Sequence, residues 1–251
     1  MTQCIAMSFV IGRSSRKMLV EGLLNALPED KMTGSVVLLP GNEPEKRKEY
    51  DNAWGNEIAK KYSISLFAEK ASYKNGFSNE GTILYTPDSR PSNLTGPQLL
   101  SESKDIKEDY SKLTSLMNAN SRSVRVGRRK FTIILCGENN LVKIQGKPFT
   151  ADWRYPEFGM KKPGGILFNP IHYRMGNGGK LEARFRYLSS QDGGGYSHAI
   201  ALANSYHGAR GGWPKNGFAL FSNGKRENVP LAATFGEFNG KPRAKAFVFD
   251  L

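Results

Sequence analysis

Cys136 closes the run Lys130-Phe131-Thr132-Ile133-Ile134-Leu135 and is followed by Gly137-Glu138-Asn139-Asn140. The β-prone or apolar residues Phe131 to Ile134 lead through Leu135 into the cysteine, a glycine and a polar run. That pattern predicts a buried strand ending in a tight turn. Open α/β sheets place their chemistry at such strand ends. A thiol held there can act as a nucleophile, with the Gly137 N–H aimed at a developing oxyanion. The same cysteine also reads as a small buried hydrophobe, because free cysteine is among the most buried residue types.

A thiol needs partners, and the chain offers several. Pro40-Gly41-Asn42-Glu43 follows an apolar run, and Lys112 follows a long polar stretch. In this combination Glu43 is the general base that takes the thiol proton. Lys112 and the Gly137 N–H stabilise the negative oxygen of a tetrahedral intermediate. The bland readings are a helix-start carboxylate for Glu43, favoured by the macrodipole, and a solvated lysine for Lys112. Glu138 is a supporting carboxylate behind the nucleophile or a plain polar turn residue. His172, His198 and His207 are the three histidines. A Cys136–His172 pair is a competing base assignment, since both residues follow strands that can be neighbours. Trp153 and Tyr155 wall a substrate pocket or belong to the core.

The elements that must position these residues follow from periodicity. Cys4–Val10 reads as a strand, and Leu19, Leu23 and Leu27 form the stripe of a helix that Ser14 or Ser15 caps. Residues 35–39 are a short continuous apolar strand. Tyr50, Trp54, Ile58 and Tyr62 mark a second helix starting near Asn42. Residues 63–71 and 81–85 read as strands joined by a polar turn at 73–76. Residues 88–108, rich in Pro, Gly, Ser and Asn, read as a long surface loop. The alternation of Arg122, Arg125, Arg128, Arg129 and Lys130 with Val124 and Val126 predicts a hairpin with a solvated basic face. Residues 165–170, 217–224 and 244–251 read as strands, and 197–207 as a helix. The order β-α-β-α-β-β argues a layered α/β protein whose sheet is not purely parallel.

With these segments in order, the whole chain resembles the nitrilase, or carbon–nitrogen hydrolase, superfamily. Tyr110-Ser111-Lys112-Leu113 is similar to the family's Tyr-x-Lys segment. Gly127 through Cys136-Gly137-Glu138-Asn139 resembles its glycine, strand and nucleophile elbow. Gly165–Pro170 is similar to its apolar strand ending in Asn-Pro, and Ala201–Ser205 resembles its helix with an Ala-Asn pair. The resemblance implies a four-layer α-β-β-α sandwich over residues 1–251 and a Glu-Lys-Cys triad. It further implies amide or nitrile chemistry through a thioester, with no metal or cofactor, in a homo-oligomer. Two departures stand out. The family has Pro-Glu at the end of the second strand, where this chain has Pro40-Gly41. The second glutamate that many members carry is missing between Lys112 and Cys136.

Of 251 residues, 39% are hydrophobic and 24% charged, as in globular proteins. No apolar run approaches the roughly 20 residues that span a bilayer, and the N-terminus does not read as a signal peptide. Two cysteines make no disulfide framework, so a reducing, cytoplasmic setting is expected. The formal net charge of +13 favours nucleic acid or other anionic partners. Two functions follow. The first is a cysteine-dependent hydrolase of a small amide or nitrile. The second is a catalytically impaired sandwich acting as a binding module for nucleic acid.

Overall fold

The computed structural model describes residues 2–11, 15–41, 53–72, 78–100, 106–172, 178–206 and 212–251. The first half of the chain runs β1 (Gln3–Ile11), α1 (Arg16–Asn25), β2 (Val36–Leu38), α2 (Ala53–Tyr62), β3 (Ser65–Ser72), β4 (Ser78–Thr86), β5 (Ser89–Asn93) and α3 (Lys107–Asn118). After it come β6 (Ser123–Val126), β7 (Arg129–Ile133), a 3-10 turn (Cys136–Leu141), β8 (Val142–Gln145), β9 (Thr150–Trp153), β10 (Ile166–Ile171) and α4 (Gly178–Leu188). The chain closes with β11 (His198–Ala203), β12 (Ser205–Tyr206), β13 (Phe218–Ser222), β14 (Lys225–Arg226), β15 (Leu231–Phe238) and β16 (Lys241–Asp250).

Two mixed sheets result. One has the order β15-β16-β1-β2-β3-β4-β5, with β12 pairing β1 off that path. The other has the order β14-β13-β11-β10-β7-β6. At the centre of each lie parallel neighbours, β1-β2-β3 in the first and β7-β10-β11 in the second. The pleat decides the layers, because successive side chains point to opposite faces. On β7, Phe131 and Ile133, with Leu135 beyond, meet Ala6, Leu38 and Phe67 of the other sheet. Ile134 and Cys136 point the other way, towards Tyr110, Leu113, Leu181 and Phe185 of α3 and α4. On β1, Ile5, Met7 and Phe9 pack beneath α1 and α2. The architecture is therefore the four-layer α-β-β-α sandwich that the sequence resemblance implied.

Three sequence readings change. Residues 197–207 do not form a helix: His198–Ala203 is β11, a central strand between β10 and β13. Its run Ala199 to Ala203 is buried at every position, and continuous burial carries no period to distinguish strand from helix. Within 88–108 lies β5, an edge strand exposed at all five positions, which explains its loop-like composition. Helix α4 falls in a stretch to which the periodicity assigns no element, because two glycines begin it and basic residues interrupt its stripe. The basic hairpin forms as expected, with Val126 opposite Arg129 and Gly127 turning at φ 57°. Its first arginine, however, is buried. Arg122 is 1% exposed and belongs to the site below.

Phe131 is fully buried between the sheets, its ring centroid 5.2 Å from that of Phe67. Phe131→Ala should destabilise the fold by about 3–5 kcal/mol, the usual range for an emptied aromatic site. Urea denaturation checks this, and a loss below about 1 kcal/mol would show that the two sheets are not held by this contact.

Candidate active site

Parallel strands bring their C-terminal ends to one side, and here both sheets do so together. Ile133 of β7 is level with Phe168 of β10. Cys136, three residues beyond Ile133, and His172, four beyond Phe168, therefore emerge side by side. On the other sheet Leu38 of β2 is level with Phe67 of β3. That places Gly41, just past β2, and Glu69, two residues after Phe67, at the same end. A bond from Gly41 N–H to Ile171 O, 3.1 Å, ties the two sheets at this point.

The turn that carries Cys136 is anchored from beneath. Glu138 is completely buried, and its carboxylate takes both Arg122 Nη1 and Nη2 at 3.0 Å. It also accepts the backbone N–H groups of Leu99 and Leu135, each at 2.8 Å. Burial pushes its pKa up, against the pull of Arg122 and the two amides. Asn139 donates to Cys136 O at 2.7 Å and accepts from Arg184 Nη1 at 2.6 Å. Asn169 of β10 donates to Ile134 O at 2.7 Å, locking the last residues before the turn to the neighbouring strand. Cys136 itself is 9% exposed, and Gly137 is buried next to it. As the first residues of a 3-10 turn, both have N–H groups with no upstream carbonyl inside the turn to accept them.

Beside the thiol stands His172. Its ring lies within interaction range of the Cys136 side chain, and its Nε2 is 3.0 Å from Glu69 Oε2. The Glu69 side chain is fully buried and that of His172 is 12% exposed. Burial alone would lower the imidazole pKa. The Glu69 charge and the Cys136 contact outweigh it and raise the value from 6.5 to about 11. A carboxylate, an imidazole and a thiol thus meet at one place. Residue 41 has no side chain, and residue 172 lies directly against it. A Cβ there would sit 2.7 Å from His172 N and 2.9 Å from His172 Cα and Cδ2.

The other expected residues fare differently. Lys112 is exposed on α3, away from the buried side formed by Tyr110, Leu113, Thr114 and Met117. The structure does not bring it to Cys136. Glu43 lies outside the described residues. Glu138 is fully buried, two residues beyond Cys136. Trp153 and Tyr155 pack against the α3/α4 core, Trp153 edge-on to Tyr187 and Tyr155 edge-on to Tyr110. They border a cavity of about 10 Å³, room for little more than one water. His172 is at the thiol, His198 is on β11, and His207 lies outside the described residues. Glu69 was overlooked by the sequence reading, although it lies two residues beyond the inward-facing Phe67. The pleat puts it on the same buried face, where an unpaired carboxylate is expensive. No cluster of three or more His, Cys, Asp or Glu side chains suited to a metal ion occurs among the described residues. No helix among them is long and apolar enough to cross a membrane.

No protein-family model and no curated protein matches the chain. Solved structures do. A carbon–nitrogen hydrolase from Helicobacter pylori G27 superposes with TM-score 0.55 at 14% identity, over 98% of this chain and 88% of its own. An amidase from Nesterenkonia sp. AN1 gives 0.52 at 13%, over 100% and 93%. A carbon–nitrogen hydrolase superfamily protein from Xanthomonas campestris, with an arsenic adduct in its active site, gives 0.50 at 12%, over 100% and 91%. The chain has the fold of this superfamily.

The raised pKa of His172 has a stability consequence. A group whose folded pKa exceeds its unfolded one stabilises fully below the unfolded value and loses that contribution as pH rises through the folded one. The stability advantage of wild type over His172→Gln should therefore be largest near pH 6 and shrink towards pH 11. Urea titrations at several pH values check this; an advantage that grows with pH would be the wrong sign. Arg122→Met leaves Glu138 buried without its cation and should cost about 3–5 kcal/mol in the same assay.

Proposed function

We propose that the chain is a cysteine-dependent carbon–nitrogen hydrolase of small amides or nitriles, with Cys136 as nucleophile, His172 as its acid–base partner and Glu69 as the carboxylate that orients His172. One observation carries this reading: the His172 ring meets both the Cys136 side chain and, at 3.0 Å, Glu69 Oε2. Nucleophile, base and orienting group within hydrogen-bond reach are what covalent acyl transfer needs. The fold supports it too. The Nesterenkonia amidase has been captured with the acetamide moiety of fluoroacetamide on its active-site cysteine.

The steps follow from the geometry. With Nε2 turned to Glu69, Nδ1 is the nitrogen that exchanges a proton with the thiol. The thiolate attacks the amide carbonyl, forming the C–S bond and moving the π pair onto oxygen. The Gly137 N–H receives that oxygen. As the C–N bond breaks, imidazolium gives its proton to the leaving nitrogen, and ammonia or an amine departs from a thioester. His172 then takes a proton from water, hydroxide adds to the thioester, and the acid leaves as the thiolate–imidazolium pair re-forms. Lys112 has no part in this scheme, and the base is His172 instead of Glu43. A binding protein that had lost its chemistry would have no use for a buried Glu69 trained on a histidine beside a thiol.

Incubation with a panel of small amides and nitriles should add an acyl mass to Cys136, and Cys136→Ala should fold but form no adduct and turn nothing over. An adduct that forms equally on Cys136→Ala would sink the assignment. In His172→Gln, alkylation of Cys136 by iodoacetamide at pH 6 should be about ten-fold or more slower than in wild type, and equal rates would remove His172 from the chemistry.

A further inference from the structure

Asn204 follows β11, the strand beside β10, and is 3% exposed. Its Nδ2 donates to Gly41 O at 2.7 Å and to His172 O at 2.9 Å. Both protons of one amide are thereby spent on the two residues whose backbones meet between the sheets. Gly41 N–H donates in turn to Ile171 O, the carbonyl just before His172. The segments after β2, β10 and β11 are thus cross-tied at one point. The His172 ring meets Glu69 from β3 and Cys136 from the 3-10 turn. Asn204 Oδ1 is buried, and the two observed bonds of the side chain are both made by its amide N–H groups.

We infer that Asn204 is a positioning residue for the proposed chemistry: by clamping the carbonyls of Gly41 and His172 it sets the backbone from which His172 reaches Cys136. This rests on the functional reading above. Asparagine can do this where aspartate cannot, since an ionised carboxylate has no donor and would face two carbonyl oxygens. A purely structural role would affect stability and leave the reactivity of Cys136 against pH untouched.

The test is the pH–rate profile of Cys136 alkylation by iodoacetamide in wild type, Asn204→Asp, Gly41→Ala and His172→Gln, with circular dichroism to confirm folding. Leu23→Ala, which hollows the core beneath α1, serves as a destabilised control. Asn204→Asp and Gly41→Ala disturb the joint from opposite sides. Each is expected to react about ten-fold or more slowly than wild type at pH 6, with a profile moved towards that of His172→Gln. Leu23→Ala should lose stability and keep the wild-type profile. A folded Asn204→Asp with the wild-type profile overturns the role of Asn204 alone. Failure of both joint variants to fold assigns Asn204 to the fold and overturns it as well. A wild-type profile that already matches His172→Gln overturns the functional reading, and the role of Asn204 with it.

Discussion

A carboxylate sealed from water constrains everything around it. Glu138 is buried without solvent, and its two oxygens are met by the Arg122 fork and by the amides of Leu99 and Leu135. Such a pair contributes little net stability compared with a well-packed apolar substitute, and losing one partner is severe. Its value lies in geometry. Arg122 enters just before the β6–β7 hairpin, Leu99 arrives from the segment between β5 and α3, and Leu135 is the residue before Cys136. One side chain therefore ties two separate segments to the turn that presents Cys136 and closes that turn on itself. The thiol is carried on a rigid base, which is what near-attack geometry demands.

Above that base the site is shared between the two sheets. Cys136 and His172 come from one, Glu69 and Gly41 from the other, and the Phe67, Phe131 and Phe168 rings pack between them. The charges at the sheet ends depend on this packing. Separation of the sheets by even a small amount would pull Glu69 from His172 and admit water to both. Buried ion pairs weaken quickly under those conditions. Stability of the sandwich and alignment of the site are consequently one property seen at two scales.

Much of this was legible in the residues. The strand ending at Cys136, the paired strand ending before His172 and the layered class all follow from apolar runs bounded by glycine and polar turns. The place of Glu69 did not follow, because the family resemblance directed attention to residue 43, although the pleat puts Glu69 on an inward face. A period-of-two reading of Phe67 and Glu69 contains that signal. Arg122 was grouped with exposed arginines because charge runs are usually solvated; its burial depends on Glu138, sixteen positions along, and no local pattern encodes that pairing. Lys112 carried a familiar local motif, but helix α3 turns it to solvent. β11 was misread because a strand buried on both faces has no period to read.

Gly41 lies against residue 172 so closely that a methyl group at 41 would meet the backbone N and Cα of that residue as well as its ring. Replacing the histidine would leave the two backbone contacts in place. A side chain at this point after β2 therefore asks the two sheets to part at this end, and their separation is held to what a glycine allows.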